Sequence, residues 1–144
     1  MKKLLVFFAF SIHTFSFCQE VYNPKNVDQF AIYPSCEVVS DNYLECFNHQ
    51  LNEDVSERLS KIKLDKILKG SGEYFAKLNF VIDENGDFIT VTSQGDETLA
   101  RISTQILYKI NREQNENASK IKPALINGTP VKVNFSLSIR YHNK

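Results

Sequence analysis

Hydrophobic positions along this chain fall into three kinds of spacing, and each predicts an element. Leu51, Val55, Leu59 and Ile62 recur at intervals of four, four and three, which places them on one face of a helix running from about Tyr43 to about Leu68. Gly70-Ser71-Gly72 ends that helix, because two glycines in three residues cost backbone entropy and suit a turn. Tyr74 to Asp83 then alternates, with Ala76, Leu78, Phe80 and Ile82 on one side. Asn85-Gly86 inside Asp83-Glu84-Asn85-Gly86-Asp87 predicts a hairpin turn, because both central residues tolerate positive φ, with Phe88 to Ser93 returning. Leu99, Ile102, Ile106 and Ile110, widened by Leu107, predict a second helix with Asp96 as its N-cap. The polar segment from Asn111 to Lys122 does not continue that stripe, and Pro123 and Asn127-Gly128 predict a loop.

The last element is the plainest. Val131, Val133, Phe135, Leu137, Ile139 and Tyr141 alternate without a break with Lys132, Asn134, Ser136, Ser138, Arg140 and His142, so one face is buried and the other wet. A helix crossing over the sheet brings this strand beside the first strand of the hairpin, in the spatial order two, one, three. The predicted fold is a two-layer α+β domain: a three-stranded antiparallel sheet, made of the hairpin plus a C-terminal edge strand, packed against two helices. That domain spans 43–144, and the Pro- and Asn-bearing stretch 19–42 reads as an extended lead-in rather than a core element.

Charge and composition narrow the function more by exclusion. The 144 residues carry 17 basic and 17 acidic side chains with no basic segment, which argues against a nucleic acid partner. Met1-Lys2-Lys3 followed by an apolar run from Leu4 to Phe17 is short for a membrane span and reads as a signal peptide over 1–18, with Ser16 and Cys18 at the cleavage positions before Gln19. Export to the periplasm follows from that reading. The alternative is a lipoprotein acylated at Cys18, although Phe17 is a poor residue in front of such a cysteine. In an oxidising compartment Cys36 and Cys46, with nine residues between them, most simply form a disulfide that ties the lead-in down. A redox pair or metal site lacks a CxxC spacing and neighbouring ligands.

Other candidate chemistry reads as structure. An EF-hand counted from Asp83 needs glycine at the sixth position and glutamate at the twelfth, and those are Phe88 and Gln94. His49 and His142 lie in polar settings and read as solvated. The sequons at Asn117, Asn127 and Asn134 read as ordinary loop and strand residues. No catalytic constellation, metal site or cofactor motif is present in this reading, so an enzyme is not expected.

Tyr33-Pro34-Ser35-Cys36-Glu37, Leu44-Glu45-Cys46-Phe47, Val81-Ile82-Asp83-Glu84-Asn85-Gly86-Asp87 and the run from Ile121 to Val131 carry a resemblance. Together with the alternating strand they resemble the C-terminal domain of TonB, and more specifically the periplasmic TonB-like proteins of Bacteroidetes with a YPxCE and a CF ahead of the hairpin. The resemblance covers about Ile32 to Tyr141. It implies a non-catalytic domain of transmembrane transport, which couples to outer-membrane receptors when a TonB-box segment adds a strand to an exposed sheet edge. The sequence departs from full-length energy transducers in having no lasting membrane anchor and no Pro-rich spacer, so binding of a protein partner is the expectation rather than direct energy transduction. The expected binding edge is Val131, Lys132, Val133, Asn134, Phe135, Ser136, Leu137, Ser138, Ile139, Arg140 and Tyr141. The alternative is a structural or self-associating envelope protein that uses the same edge to form a homodimer.

Overall fold

The computed structural model describes residues 20–38, 42–116 and 119–144. The expected signal peptide, its cleavage site and Cys18 lie outside these residues. The chain is α+β, with strands β1 (Val21–Tyr22), β2 (Gly72–Ile82), β3 (Phe88–Gly95), β4 (Ala124–Ile126) and β5 (Thr129–Asn143), and helices α1 (Tyr43–Ser60), α2 (Leu64–Ile67) and α3 (Glu97–Glu116). In the sheet the order is β1-β5-β2-β3, with β4 also paired to β5. The expected antiparallel arrangement of hairpin and last strand is present, since β2 pairs antiparallel with both β3 and β5. The expectation of three strands and two helices is corrected in three places. β1 adds a parallel strand, β4 adds an antiparallel one, and the first helix stops at Ser60, with α2 as a separate turn.

The core forms where the apolar stripes meet. Leu51, Val55 and Leu59 of α1, and Leu99, Ile102, Ile106, Leu107 and Ile110 of α3, are buried against Ala76, Leu78, Phe80 and Ile82 of β2 and Val133, Phe135, Leu137 and Ile139 of β5. Phe47 is fully enclosed, edge-on to Phe30, Tyr33 and Phe135 with ring centroids 5.2 to 5.4 Å apart. Such pairs add to area burial, because the positive edge of one ring meets the negative face of another.

The lead-in differs from its expected role. Phe30, Ala31, Ile32, Tyr33 and Cys36 are all buried in the same core. Backbone bridges from Gln29 to Leu125 and from Ile32 to Lys122 hold the segment against β4, and Cys36 is joined to Cys46 on α1, as the spacing predicted. Four consecutive apolar residues, 30–33, are the signal in the sequence that carries this burial.

Both Asn-Gly pairs turn hairpins, in different ways. At 127–128, expected as a loop, both residues have positive φ, 50° and 75°, and they join β4 to β5 in a tight two-residue hairpin. At 85–86 only Gly86 is left-handed. There the turn is organised by Asp83, whose carboxylate accepts the N–H groups of Asn85 and Asp87 at 2.8 and 2.9 Å. Gly86 must be glycine for a second reason, since a Cβ would come within 2.1 Å of the Ile121 carbonyl oxygen. The second helix also runs past its apolar stripe to Glu116. Asn111 explains the extension: buried on α3, its amide oxygen accepts from Phe88 N–H and its amide nitrogen donates to the Gly86 carbonyl, fixing the helix to the hairpin.

Candidate functional site

The backbone of β5 has two edges, and hydrogen bonds along β2 reveal which residues serve each. The Phe75 carbonyl accepts from Asp96 N–H at 2.7 Å, and the Asn79 carbonyl accepts from the Thr92 hydroxyl at 3.4 Å, so both point toward β3. Backbone groups of successive strand residues point in opposite directions, which leaves Ala76, Leu78, Phe80 and Ile82 facing β5. Their partners in register are Ile139, Leu137, Phe135 and Val133. The N–H and C=O groups of those four residues are therefore spent inside the sheet. Those of Lys132, Asn134, Ser136, Ser138, Arg140 and His142 point away from it.

Part of this outer edge is occupied. β1 runs parallel to β5 with Val21 opposite Lys132 and Tyr22 opposite Val133, so it lies against the outward groups of Lys132 and Asn134. Val131 is paired with Ala124 of β4. Among the described residues, no strand pairing and no loop backbone hydrogen bond reaches the outward groups of Ser136, Ser138, Arg140 and His142. Of the expected binding residues, Val131, Lys132, Val133 and Asn134 are thus already covered by this chain's own strands. Ser136 to His142 forms the open edge, seven residues or about 23 Å long at ~3.3 Å per residue.

Side chains along the open edge sort by face. Leu137 and Ile139 are buried under the helices and Tyr141 is half-buried, while Ser136, Ser138, Arg140 and His142 are exposed on the opposite face. There Ser136 donates to Asn79 Oδ1 at 2.6 Å, and Arg140 lies opposite the exposed Phe75 in register.

The sheet's other edge, β3, is built differently. Between the pairs Asn79–Thr92 and Val81–Ile89 the register shifts, and Thr90 sits at φ 53°, an uncomfortable angle for a β-branched residue. Such a bulge interrupts the regular alternation of donors and acceptors that an added strand needs.

Comparison with family models, curated proteins and solved structures finds no match.

A second concave feature is an open groove of about 430 Å³ between α1 and α3, floored by Ile62, Ile102 and Ile106. Its charges are answered within the chain. Arg58 donates to Glu113 at 2.6 Å, which holds that carboxyl below its ordinary range and raises the guanidinium. Lys61 donates to Glu57 at 2.6 Å and lowers it in the same way. Nearby, Tyr33 donates its hydroxyl to Asp54, and its pKa is driven far up by burial first and by that carboxylate second. A neutral phenol fixed in this way anchors the lead-in to α1 and is not poised for proton transfer. Among the described residues no cluster of His, Cys, Asp and Glu is arranged to hold a metal ion, and no helix is long and apolar enough to cross a membrane.

Proposed function

We propose that this chain is a non-catalytic, exported binding module that captures a protein partner by adding one of the partner's strands to the outer edge of β5. The role is the one implied by the resemblance to the TonB C-terminal domain, with the partner a receptor segment or another transport component in the periplasm. One observation carries it: a regular run of outward backbone groups from Ser136 to His142 that the rest of the described chain leaves unpaired. An open edge is a hazard unless it is used, and the chain's other edge is interrupted by a bulge. Strand addition draws affinity from main-chain hydrogen bonds, each worth about 1 kcal/mol net, and so needs little side-chain chemistry.

The test is site-specific photocrosslinking in cells, with the photoreactive side chain at Ser138 and, as a control, at Glu57 on α1. A heterologous adduct at Ser138, absent at Glu57 and lost when Ser136→Pro removes one outward donor, is the expected result. An adduct that survives the proline overturns strand addition, and an adduct with the mass of two copies of this chain transfers the edge to self-association.

A further inference from the structure

From Thr129 to Lys144 the chain contains Lys132, Arg140 and Lys144, together with His142, and not one acidic residue. Lys132, Arg140 and His142 are at even positions of β5, so they lie on its face turned away from the helices, and the exposed Lys144 directly follows the strand. Lys132 has an acid, with its ammonium 3.9 Å from Glu84. Arg140 and Lys144 have no ion-pair partner among the described residues. Lys25 is a third unanswered cation. It follows β1 on the short 3-10 turn Pro24–Asn26 and lines a shallow open hollow with Asn134 and Ser136. The free edge is therefore bracketed by positive charge, Lys25 at one end and Arg140 with Lys144 at the other. Glu84, in the turn between β2 and β3, is engaged with Lys132, and Glu73 on β2 is opposite His142 in register.

We infer that the β5 edge selects an acidic extended segment of a partner protein, one that alternates carboxylate and apolar side chains, and that it disfavours pairing with a second copy of itself. The inference rests on the capture reading above and specifies the chemistry of what is captured. In an added strand, side chains on the open face lie beside Ser136, Ser138 and Arg140, and those on the other face lie beside Leu137, Ile139 and Tyr141. Carboxylates fit the first row and apolar groups the second. Opposite charges on neighbouring strands attract and like charges repel. A second copy at the open edge would bring another Arg140 and Lys144 beside the same two cations, with no acidic residue in either strand.

The experiment uses the processed protein as exported and purified, with three end-capped seven-residue probes: alternating glutamate and valine, alternating lysine and valine, and the glutamate peptide N-methylated at alternate amides. Binding is measured by titration calorimetry in low-salt buffer. The glutamate peptide should bind about tenfold tighter than the lysine peptide, a ratio that two to three cross-strand ion pairs supply. Arg140→Glu should shrink or reverse that ratio, and N-methylation on the pairing edge should abolish binding. Equal affinity for the two charge types overturns the inference and leaves strand addition standing. A glutamate preference untouched by Arg140→Glu also overturns it. Failure of both unmethylated peptides to bind, with no crosslink at Ser138 in cells, overturns the capture reading and the inference with it.

Discussion

Proline at neighbouring positions of β5 should have opposite consequences, because the two N–H groups point opposite ways. Ser138 faces outward and its side chain is exposed, so Ser138→Pro removes no ladder hydrogen bond and buries nothing new. Its effect on stability should stay within about 1 kcal/mol. Leu137 is fully buried and its N–H bonds to Leu78 across β2. Leu137→Pro loses that bond, leaves a buried carbonyl unpaired at about 1–3 kcal/mol, and forfeits much of a core side chain. Leu137→Ala isolates the side-chain part, about 2–5 kcal/mol. Proline at 137 should exceed alanine by roughly 2–3 kcal/mol, for a total that approaches the ~5–15 kcal/mol stability of an ordinary domain. Urea unfolding measures the three variants. Amide hydrogen exchange on the unmodified protein reads the same alternation, with Ser136, Ser138 and Arg140 exchanging fast and Leu137 and Ile139 slowly. Ser138→Pro destabilising as much as Leu137→Pro, or uniform protection along the strand, would refute the assignment of the outward set.

Three further outcomes follow from other contacts. Replacing both Cys36 and Cys46 by alanine opens a loop with a sequence separation of 10 and should cost about 3 kcal/mol in urea unfolding, and peptide mapping of the unreduced protein should find the pair linked. Asn111→Leu keeps the volume but strands Phe88 N–H and the Gly86 carbonyl, so it should destabilise by about 2–4 kcal/mol in the same assay. Tyr33 keeps its proton in the folded state well above the ordinary tyrosine value of 10.0, whereas the unfolded chain loses it there. Stability from this group is complete below that value and falls as pH rises, by about 1.4 kcal/mol per pH unit, and Tyr33→Phe should remove that part of the alkaline slope in unfolding curves taken from neutral to strongly alkaline pH.

What was legible in the sequence follows from how local each signal is. Period-two alternation marked β2 and β5 with the correct buried residues, and the 3.6-residue stripe marked α1 and α3, because face and period are properties of neighbours along the chain. The order β5-β2-β3 followed from connection rules alone. The burial of the lead-in is not legible because its apolar run, 30–33, is too short to show a period and depends on β4 and α1, which are distant in sequence. β4 escapes a sequence reading for the same reason: three residues pair only because Asn127-Gly128 closes the hairpin. The hairpin turn at 83–87 was legible from Asn85-Gly86, and Asp83 sets its width by accepting the N–H groups of Asn85 and Asp87. At the binding edge, the alternation named both sets of amides but left open which set faces outward. That choice is fixed by the β2–β3 pairing, a relation one strand further away.

The two outer edges of this sheet have been treated differently, and the difference links the lead-in to binding. β3 carries a bulge at a strained threonine, a feature that blocks edge pairing at some cost in backbone energy. β5 carries none; its upstream end is closed by a two-residue parallel strand that stops at the turn beginning with Pro24, and its downstream end is left open. The position of β1 is in turn set by the segment behind it, which two bridges, the hydrogen bond from Asn127 N–H to the Asp28 carboxylate at 2.6 Å and the Cys36–Cys46 bond hold against β4 and α1. The disulfide thus does more than raise stability. It secures the far end of the segment whose near end, β1, covers the outward groups of Lys132 and Asn134 and leaves those from Ser136 onward free.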